Sequence, residues 1–385
     1  MKVAMVTSFP ADPNTPHGGV EAVSVNLVRA MAKMEDVTLH VITTDRQCGR
    51  LVRSQWNKAT IHRLPWAGGM ELPHAIGPGR RQIQKYLAWL GPDVIHAHDT
   101  YGLMVQGMPV PRVFTVHGFI HCDTLIAGGR FAWLRWRLWR RAERACWAEQ
   151  PHIVSISPYV RERLRGIATG VIHDIDNPIA AECFEIRPLP ARGTIFSAAL
   201  ICPRKNTLGL VEAFVRVVAG GVDARLRLAG RATDCAYEAR VRQSVREAGL
   251  ADRVAFLGPL SAARVREELA QASVFALASL EEGAPMGVAE AMAAGVPVVT
   301  SNRCGMPYML RHGESGFLVD PVDPVDIAGR LTELLQDDRR REVMGACSRE
   351  IAMDRFHPDR VARRTLEVYR RALESGAKGV GHDRA

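Results

Sequence analysis

One stretch of the sequence decides the fold: Ser279-Leu-Glu-Glu-Gly-Ala-Pro-Met-Gly-Val-Ala-Glu-Ala-Met-Ala-Ala-Gly-Val-Pro-Val-Val-Thr300. The short apolar run just before it, residues 274–278, predicts a buried parallel strand. Pro285 suits the first position of a helix, and Gly295 marks the end of that helix. We therefore expect a strand, a loop that carries Glu282, a short helix that carries Glu290, and a second strand.

The two glutamates fall where an open α/β sheet binds its ligands, at the carboxyl ends of the strands and beside a helix N-terminus. This position favours nucleotides and phosphates, which a carboxylate repels. A carboxylate is also a bidentate acceptor, however, and it suits the hydroxyl groups of a sugar. Glu282 and Glu290 are therefore predicted to bind sugar hydroxyls. The alternative is a solvated helix face with one capping carboxylate.

The spacing of these glutamates, with the Ala-Met-Ala-Ala-Gly-Val-Pro-Val-Val that follows, closely resembles the signature of the family 4 glycosyltransferases. The resemblance covers nearly the whole chain and is strongest over residues 198–321. It implies an α/β protein of the GT-B fold, in which two Rossmann-like domains with parallel sheets face each other across a cleft. It also implies a retaining enzyme that needs no metal and no cofactor. Such an enzyme moves a hexose from a nucleotide-diphosphate sugar to a hydroxyl acceptor, which is a glycolipid, a polysaccharide precursor or a small molecule.

Composition agrees with a two-domain enzyme that has an anionic partner. The 385 residues suffice for two domains with well-buried cores. The eight cysteines include no Cys-x-x-Cys pair, which favours reduced thiols in the cytoplasm and argues against a zinc ribbon or a disulfide framework. The net charge of +9 suits a nucleotide or an anionic lipid surface, and no nucleic-acid-binding signature is present. No apolar run approaches the ~18 residues needed to cross a bilayer, and no signal peptide is predicted.

The chain opens with a βαβ pattern whose turn carries two glycines, Gly18 and Gly19. A backbone without side chains lets a ligand approach closely at this point. The resemblance places the leaving phosphate of the donor against this loop.

Two later strands end in histidine. Strand alternation puts His96 and His98 on one face, so a metal site is geometrically allowed, but no matching carboxylate or lysine cluster supports it and we predict no metal. The resemblance implicates His117, in Thr-Val-His-Gly, as a contact to the donor sugar or the transition state. The alternative is a hydrogen-bonded structural histidine, which we favour for His98.

Residues 130–147 read Arg-Phe-Ala-Trp-Leu-Arg-Trp-Arg-Leu-Trp-Arg-Arg-Ala-Glu-Arg-Ala-Cys-Trp. At about 100° per residue they form two apolar stripes. The first contains Phe131, Leu134 and Leu138, and the second contains four tryptophans that end with Trp147 and is bordered by arginines. We expect one stripe to pack on the domain. The other, tryptophan beside arginine, would lie at a membrane interface or in an acceptor groove; the alternative is a helix buried on two sides.

The second half opens with a strand and a basic loop that contains Arg204 and Lys205, both within reach of a diphosphate. The family usually has Gly-Arg at the end of this strand, where this chain has Ala199 and Leu200. Lys205 therefore matches the family lysine, whereas Arg204 is only a substitute for the missing arginine. An ordinary solvated basic loop is the alternative.

The resemblance also assigns roles. Glu290 accepts hydrogen bonds from the donor ribose and Glu282 from the donor hexose, while Arg204 and Lys205 stabilise the departing diphosphate. The other donor-binding positions implied are Gly230, Leu257, Gly283, Ala284, Pro285 and Met286. A sugar-nucleotide epimerase or phosphorylase of the same fold, and a catalytically weak nucleotide-binding scaffold, are the alternatives.

We expect an N-terminal acceptor-side domain over residues 1–187 and a donor-binding domain over residues 193–358. A helix at about 359–375 is expected to pack back on the first domain, followed by a flexible tail over 376–385. The run His-Asp-Ile-Asp at 173–176 mimics an Asp-x-Asp metal motif, but we interpret it as turn and linker.

Overall fold

The computed structural model of the protein describes residues 1–16, 18–66 and 68–382. The chain divides into two α/β units, each with its own sheet. Unit 1 contains Met1–Pro178 and the C-terminal stretch from Pro358, and unit 2 contains Ile179–His357. The two α/β halves predicted from the sequence are thus present.

Unit 1 is built on an eight-stranded sheet. Its strands are β1 (Lys2–Val6), β2 (Thr38–Asp45), β3 (Val52–Trp56), β4 (Ala59–Pro65), β5 (Val94–His98), β6 (Arg112–Val116), β7 (His152–Ser155) and β8 (Val171–Asp174). They lie in the order β3-β4-β2-β1-β5-β6-β7-β8, and all neighbours are parallel except β3 and β4. Because β1 is central, its Val-Ala-Met-Val residues are buried on both faces.

Seven helices of unit 1 precede the second unit. They are α1 (Gly19–Met31), α2 (Glu71–Ile76), α3 (Pro78–Leu90), α4 (Tyr101–Met104), α5 (Ile120–Ala127), α6 (Ala132–Glu149) and α7 (Pro158–Leu164). Val28 and Met31 of α1 pack on Val3 and Met5 of the central strand in one buried apolar cluster. The amphipathic α1 thereby fixes the position of the glycine turn before it.

Unit 2 is built on a six-stranded sheet in which all neighbours are parallel. Its strands are β9 (Thr194–Ala198), β10 (Arg225–Ala229), β11 (Val254–Gly258), β12 (Val274–Leu277), β13 (Val298–Ser301) and β14 (Gly316–Val319), in the order β11-β10-β9-β12-β13-β14. Its helices are α8 (Thr207–Ala219), α9 (Cys235–Glu247), α10 (Ala262–Gln271), α11 (Met286–Ala293), α12 (Pro324–Gln336) and α13 (Asp338–Arg355). The strand, loop, helix and strand predicted around Glu282 are β12, α11 and β13 with their loop.

The division between the units differs from the one drawn on the proline-rich stretch near residue 190. Ile179, Phe184 and Ile186 are buried in an apolar cluster with Phe196 and Phe275 of unit 2. The chain therefore joins the second unit directly after Pro178, because its apolar residues begin to pack there before the prolines are reached.

The run at 173–176 is not wholly a linker, which corrects its interpretation. His173 and Asp174 belong to β8, whose register with β7 pairs His173 with Val154. Backbone pairing at the edge of the sheet makes a strand of this polar sequence.

The last helix, α14 (Pro358–His382), belongs to unit 1. Its Val361, Ala362 and Tyr369 join the cluster formed by α1 and β1. The helix continues past Gly376, where the sequence predicts a flexible tail, and residues 383–385 of that tail lie outside the described residues. Over the described residues, the structure contains no helix that is long and apolar enough to cross a membrane.

Candidate functional site

The loop that carries Glu282 leaves the end of β12 and is held by a close backbone contact. The amide of Gly305 donates to the carbonyl of Glu282 at 2.8 Å. A Cβ atom at Gly305 would lie 1.7 Å from the carbonyl oxygen of Gly283, so no other residue fits there without moving the loop. Pro285 then occupies the N-cap position of α11, one position earlier than predicted, and caps no backbone amide with its side chain.

Arg204 and Lys205 reach the same carboxylate. They occupy a single 3-10 turn, Pro203–Lys205, that follows β9, and the carbonyl of Arg204 accepts from the amide of Leu280 at 2.8 Å. The Arg204 Nη1 donates to Glu282 Oε1 at 2.9 Å and also to the carbonyl of Glu281. The Lys205 Nζ forms an ion pair with the same oxygen of Glu282. The structure therefore brings together three of the predicted catalytic residues in unit 2.

This cluster of Arg204, Lys205 and Glu282 is largely withdrawn from water and brings two cationic side chains to one carboxylate. The side chain of Glu282 is 10% exposed and that of Lys205 is 13% exposed. Attraction between desolvated charges of opposite sign is strong, so the carboxylate holds both cationic side chains in place. The arrangement suits a phosphate group, which pairs with guanidinium and ammonium groups through charge-assisted hydrogen bonds.

Glu290 lies on α11 and does not join this cluster. Its half-buried carboxylate makes no hydrogen bond to any residue that the structure describes. Burial raises the pKa of the Glu290 carboxyl, and the nearby Arg266 opposes that shift. A desolvated acceptor without a partner is open to hydroxyl donors from a ligand.

The first turn of α11 offers further donors. Pro285 gives it no side-chain cap, so the structure assigns no side-chain acceptor to its leading backbone amides. Gly283, Ala284 and Met286 are partly exposed beside these amides, and Pro285 is buried.

Gly230 has a structural reason to be glycine. Its φ is 138°, and a Cβ atom there would lie 1.8 Å from the carbonyl oxygen of Ala199. Its amide donates to the carbonyl of Gly258 at 2.8 Å, next to the partly exposed Leu257. The turn after β10 thus packs on the residues that stand where the resemblance expects Gly-Arg.

In unit 1, Gly18 precedes α1 in an extended conformation with φ of −165°. Nothing lies within 4 Å of a Cβ atom built at Gly18, so neither strain nor crowding demands a glycine. Gly19 is the first residue of α1, and both glycines are exposed. His17, which begins the predicted turn, lies outside the described residues.

His117 follows β6 and is tied to the end of β5. Its Nε2 lies 2.8 Å from Nδ1 of His98, and its backbone amide donates to Asp99 Oδ1 at 3.0 Å. Burial lowers the pKa of His117 to about 4, opposed by the Asn177 side chain, so the imidazole is neutral at neutral pH. Burial also raises the pKa of Asp99 to about 7, although the hydrogen bond from the His117 amide opposes this.

His98 and Asp99 are the residues that the structure adds to the surroundings of His117. Parallel pairing of β5 with β6 places the His-Asp pair beside His117, and the sequence signal was two successive strands that each end in histidine. Asp99 also has a φ of 44°, in the left-handed region that few non-glycine residues adopt.

His96 faces a different set of partners. Its Nδ1 lies 2.7 Å from the hydroxyl of Tyr369, and its Nε2 lies 2.7 Å from the hydroxyl of Thr115. Both ring nitrogens are therefore occupied. Within the described part of the chain, no three histidine, cysteine, aspartate or glutamate side chains form a metal-binding group.

The tryptophan–arginine helix, α6, packs the stripe that the sequence predicts to face outward. Trp139 is 8% exposed and Trp147 is 3% exposed, and both lie in the interior with Glu143 and Cys146. Glu143 decides this orientation, because its carboxylate accepts from the backbone amides of Ile120 and His121. Trp139 and Trp147 are therefore not part of a membrane surface, whereas Trp133, Leu134 and Leu138 are exposed.

Two protein families match the chain, one in each half. The family model described as Glycosyltransferase Family 4 matches residues 17–182. The model described as Glycosyl transferases group 1 matches residues 186–350, which include the cluster of Arg204, Lys205 and Glu282 as well as Glu290.

Curated relatives match over part of their length. The chain is 30% identical over 175 residues to N-acetyl-alpha-D-glucosaminyl L-malate synthase of Bacillus anthracis, a match that covers 46% of this chain and 44% of that protein. It is 29% identical over 238 residues to the GDP-mannose-dependent alpha-(1-6)-phosphatidylinositol monomannoside mannosyltransferase of Mycobacterium tuberculosis, covering 57% of this chain and 61% of that protein. The chain thus spans less than two thirds of the length of either relative.

Solved structures match over nearly the whole chain. Sucrose-phosphate synthase from Thermosynechococcus elongatus superposes with a TM-score of 0.81 at 20% identity, over 97% of this chain and 99% of that one. HepE of Anabaena, solved in complex with UDP and glucose, superposes with a TM-score of 0.73 at 16% identity, over 96% and 99%. At such identities the likeness establishes the fold alone.

Proposed function

Because the chain belongs to the family 4 glycosyltransferases, we propose that it transfers a hexose from a nucleotide-diphosphate sugar to a hydroxyl acceptor, with retention of configuration and without a metal. Its fold is GT-B, with two parallel-sheet α/β units, which confirms the fold predicted from the sequence.

One observation carries the proposal: Arg204 and Lys205 converge on Glu282 beside the N-terminus of α11. A donor of this class presents a diphosphate next to a hexose. In the proposed complex the two cations take the diphosphate and stabilise the charge that grows on it as the bond to the sugar breaks. Glu282, released from them, accepts hydrogen bonds from the hexose hydroxyls. A single cluster thus supplies both kinds of contact.

The remaining donor contacts follow from the same sheet edge. Glu290, whose carboxylate has no hydrogen-bond partner among the described residues, takes the ribose hydroxyls. The backbone amides after Pro285 face the phosphates, as free helix amides do. Gly230 and Leu257 border the site of the base, with Gly283, Ala284 and Met286 beside the sugar.

Unit 1 is assigned the acceptor. His117 is the candidate contact there, acting as a neutral hydrogen-bonding group because its pKa is about 4. Gly18 and Gly19 are candidate backbone contacts to phosphate.

The bond from the anomeric carbon to the diphosphate breaks while the acceptor oxygen bonds to the same face of the sugar, and a phosphate oxygen of the leaving group takes the acceptor proton. The scattered cysteines support a reaction in the cytoplasm.

The test is a panel of UDP-, GDP-, ADP- and TDP-sugars, scored for release of nucleoside diphosphate with and without EDTA. We expect slow hydrolysis of at least one donor, unchanged by EDTA and abolished in Lys205→Ala, with the exposed Lys85→Ala as the matched control. Loss of turnover in EDTA would contradict metal independence. Epimerised sugar without diphosphate release would indicate an epimerase, a requirement for orthophosphate would indicate a phosphorylase, and binding without turnover of any donor would indicate a scaffold.

A further inference from the structure

The outer face of α6 carries apolar side chains that are exposed and do not pack in the interior of the protein. At about 100° per residue, the residues opposite the buried Glu143 and Trp147 are Leu134, Leu138 and Ala145. All three are exposed, Leu138 by 50%. Exposed apolar residues continue around the N-terminus of the helix, where Phe131 and Trp133 are more than half exposed: the apolar outer face comprises Leu125, Phe131, Trp133, Leu134, Leu138 and Ala145.

Arginines border this apolar outer face. Those exposed on α6 or just before it are Arg130, Arg135, Arg137, Arg140, Arg141 and Arg144. None of the six forms an ion pair with a residue that the structure describes. On the helical wheel, Arg141, Arg137 and Arg144 lie about 20°, 60° and 80° from Leu134, all on the same side.

The acidic residues of α6 do not neutralise this charge. Glu143 is buried and accepts from the backbone amides of Ile120 and His121 and from the His121 side chain at 2.7 Å. Glu149 is paired with Arg112 at 3.2 Å and accepts from the amide of Gly107. The outer face therefore presents positive charge around an apolar centre, on a helix that is anchored by its inner face.

We propose that the outer face of α6 binds the surface of an anionic lipid bilayer. The helix lies parallel to the membrane, with Leu134 and Leu138 among the acyl chains near the headgroups. Arginine suits the flanks, because its stem packs along apolar surface while its guanidinium forms paired hydrogen bonds with lipid phosphates. Charge complementarity selects anionic lipid, and each arginine strengthens binding about fivefold at low salt.

The apolar centre distinguishes a bilayer from a soluble acidic partner. A nucleic acid or an acidic protein surface would use the six arginines but would leave Leu134 and Leu138 in water. Only a partner with an apolar interior buries both. The interaction is independent of glycosyl transfer and can be measured with the isolated 385-residue chain.

Co-sedimentation with vesicles tests the proposal. The protein is mixed at low salt with vesicles of phosphatidylcholine alone or of phosphatidylcholine with phosphatidylglycerol. We expect it to pellet only with the anionic vesicles. Substitution of Arg137, Arg141 and Arg144 by Gln should weaken this binding on the order of 100-fold. Leu134→Gln with Leu138→Gln should weaken it at least tenfold.

Matched variants control for charge and for surface polarity. Arg192, Arg246 and Arg339 are exposed and form no ion pair with a described residue, so their change to Gln lowers the net charge equally without touching α6. The control for the leucine variant is Val325→Gln with Val343→Gln, which makes two exposed apolar positions polar outside α6. Both control proteins should bind anionic vesicles like the wild type, and thermal unfolding checks that every variant folds.

Three outcomes would overturn the proposal. The first is no pelleting of wild type with anionic vesicles, and the second is equal loss in the arginine variant and its control. The third is full vesicle binding by the leucine variant together with competition by heparin, which would identify the face as a site for a soluble polyanion.

Discussion

Lys205 and Glu282, which lie 77 residues apart in the sequence, form an ion pair in which both side chains are more than four-fifths buried. Glu282 accepts from Arg204 with the same oxygen atom. The two cations of the proposed phosphate site are thus already occupied by a carboxylate. Diphosphate binding must therefore replace this contact, and that exchange can be measured.

Replacing Glu282 by Gln should separate nucleotide binding from catalysis. Without the carboxylate, Arg204 and Lys205 lose an anion that competes with phosphate, so affinity for a sugar-free nucleoside diphosphate should rise roughly tenfold. Turnover of the nucleotide sugar should fall about 100-fold, because an amide is a poorer acceptor for the hexose hydroxyls. Titration calorimetry and steady-state kinetics give the two values.

The control for this variant is Glu342→Gln, an exposed glutamate on α13 of the same unit. It should change neither quantity. If Glu282→Gln instead weakens diphosphate binding, the carboxylate orients the cations in the complex rather than competing for them, and the exchange is refuted.

Arg204 should carry as much of the diphosphate affinity as Lys205. Both side chains reach Glu282 from one 3-10 turn, and Arg204 lies where it can replace the arginine that the family usually places at the end of β9. We expect Arg204→Ala and Lys205→Ala each to weaken nucleoside diphosphate binding by about 10- to 100-fold. Arg303→Ala, which removes a partly exposed arginine paired with Asp320, is the control. Unchanged affinity in Arg204→Ala would show that Arg204 does not replace the family arginine in diphosphate binding.

The elements around Glu282 in unit 2 could be predicted from nearby residues in the sequence, whereas the orientation of α6 in unit 1 depends on tertiary contacts. The turn residues and the apolar run around Glu282 specify a strand, a loop and a helix. In the same unit, the side chain of Asp323 caps the helix that starts at Pro324. The two stripes of α6, by contrast, are similarly apolar. Glu143 sets which stripe faces inward, because its carboxylate accepts from backbone amides of a separate helix. The spacing of apolar residues along α6 does not predict that contact.

Gly230→Ala should lower the free energy of unfolding of unit 2. The new Cβ atom would lie 1.8 Å from the Ala199 carbonyl oxygen, at a φ of 138°. We expect a loss of at least about 2 kcal/mol in the free energy of unfolding, measured by urea titration. Gly329→Ala on α12, where nothing lies within 4 Å, should be neutral or slightly stabilising. Equal stability of the two variants would refute the steric role of Gly230.

Asp99 should make the stability of unit 1 depend on pH. Folding raises its pKa from 3.8 to about 7, chiefly through burial, so the folded protein holds a proton there that the unfolded chain has released. The stability that comes from the neutral carboxyl is fully present below about pH 4 and is lost as the pH rises toward about 7. Asn keeps an acceptor for the His117 amide but cannot ionise. Asp99→Asn should therefore raise the melting temperature relative to wild type more at about pH 8 than at about pH 5. The control is Asp252→Asn at an exposed position, which should show no such trend. If Asp99→Asn shifts the melting temperature equally at both pH values, the change is a packing effect alone, and a buried, protonated Asp99 is contradicted.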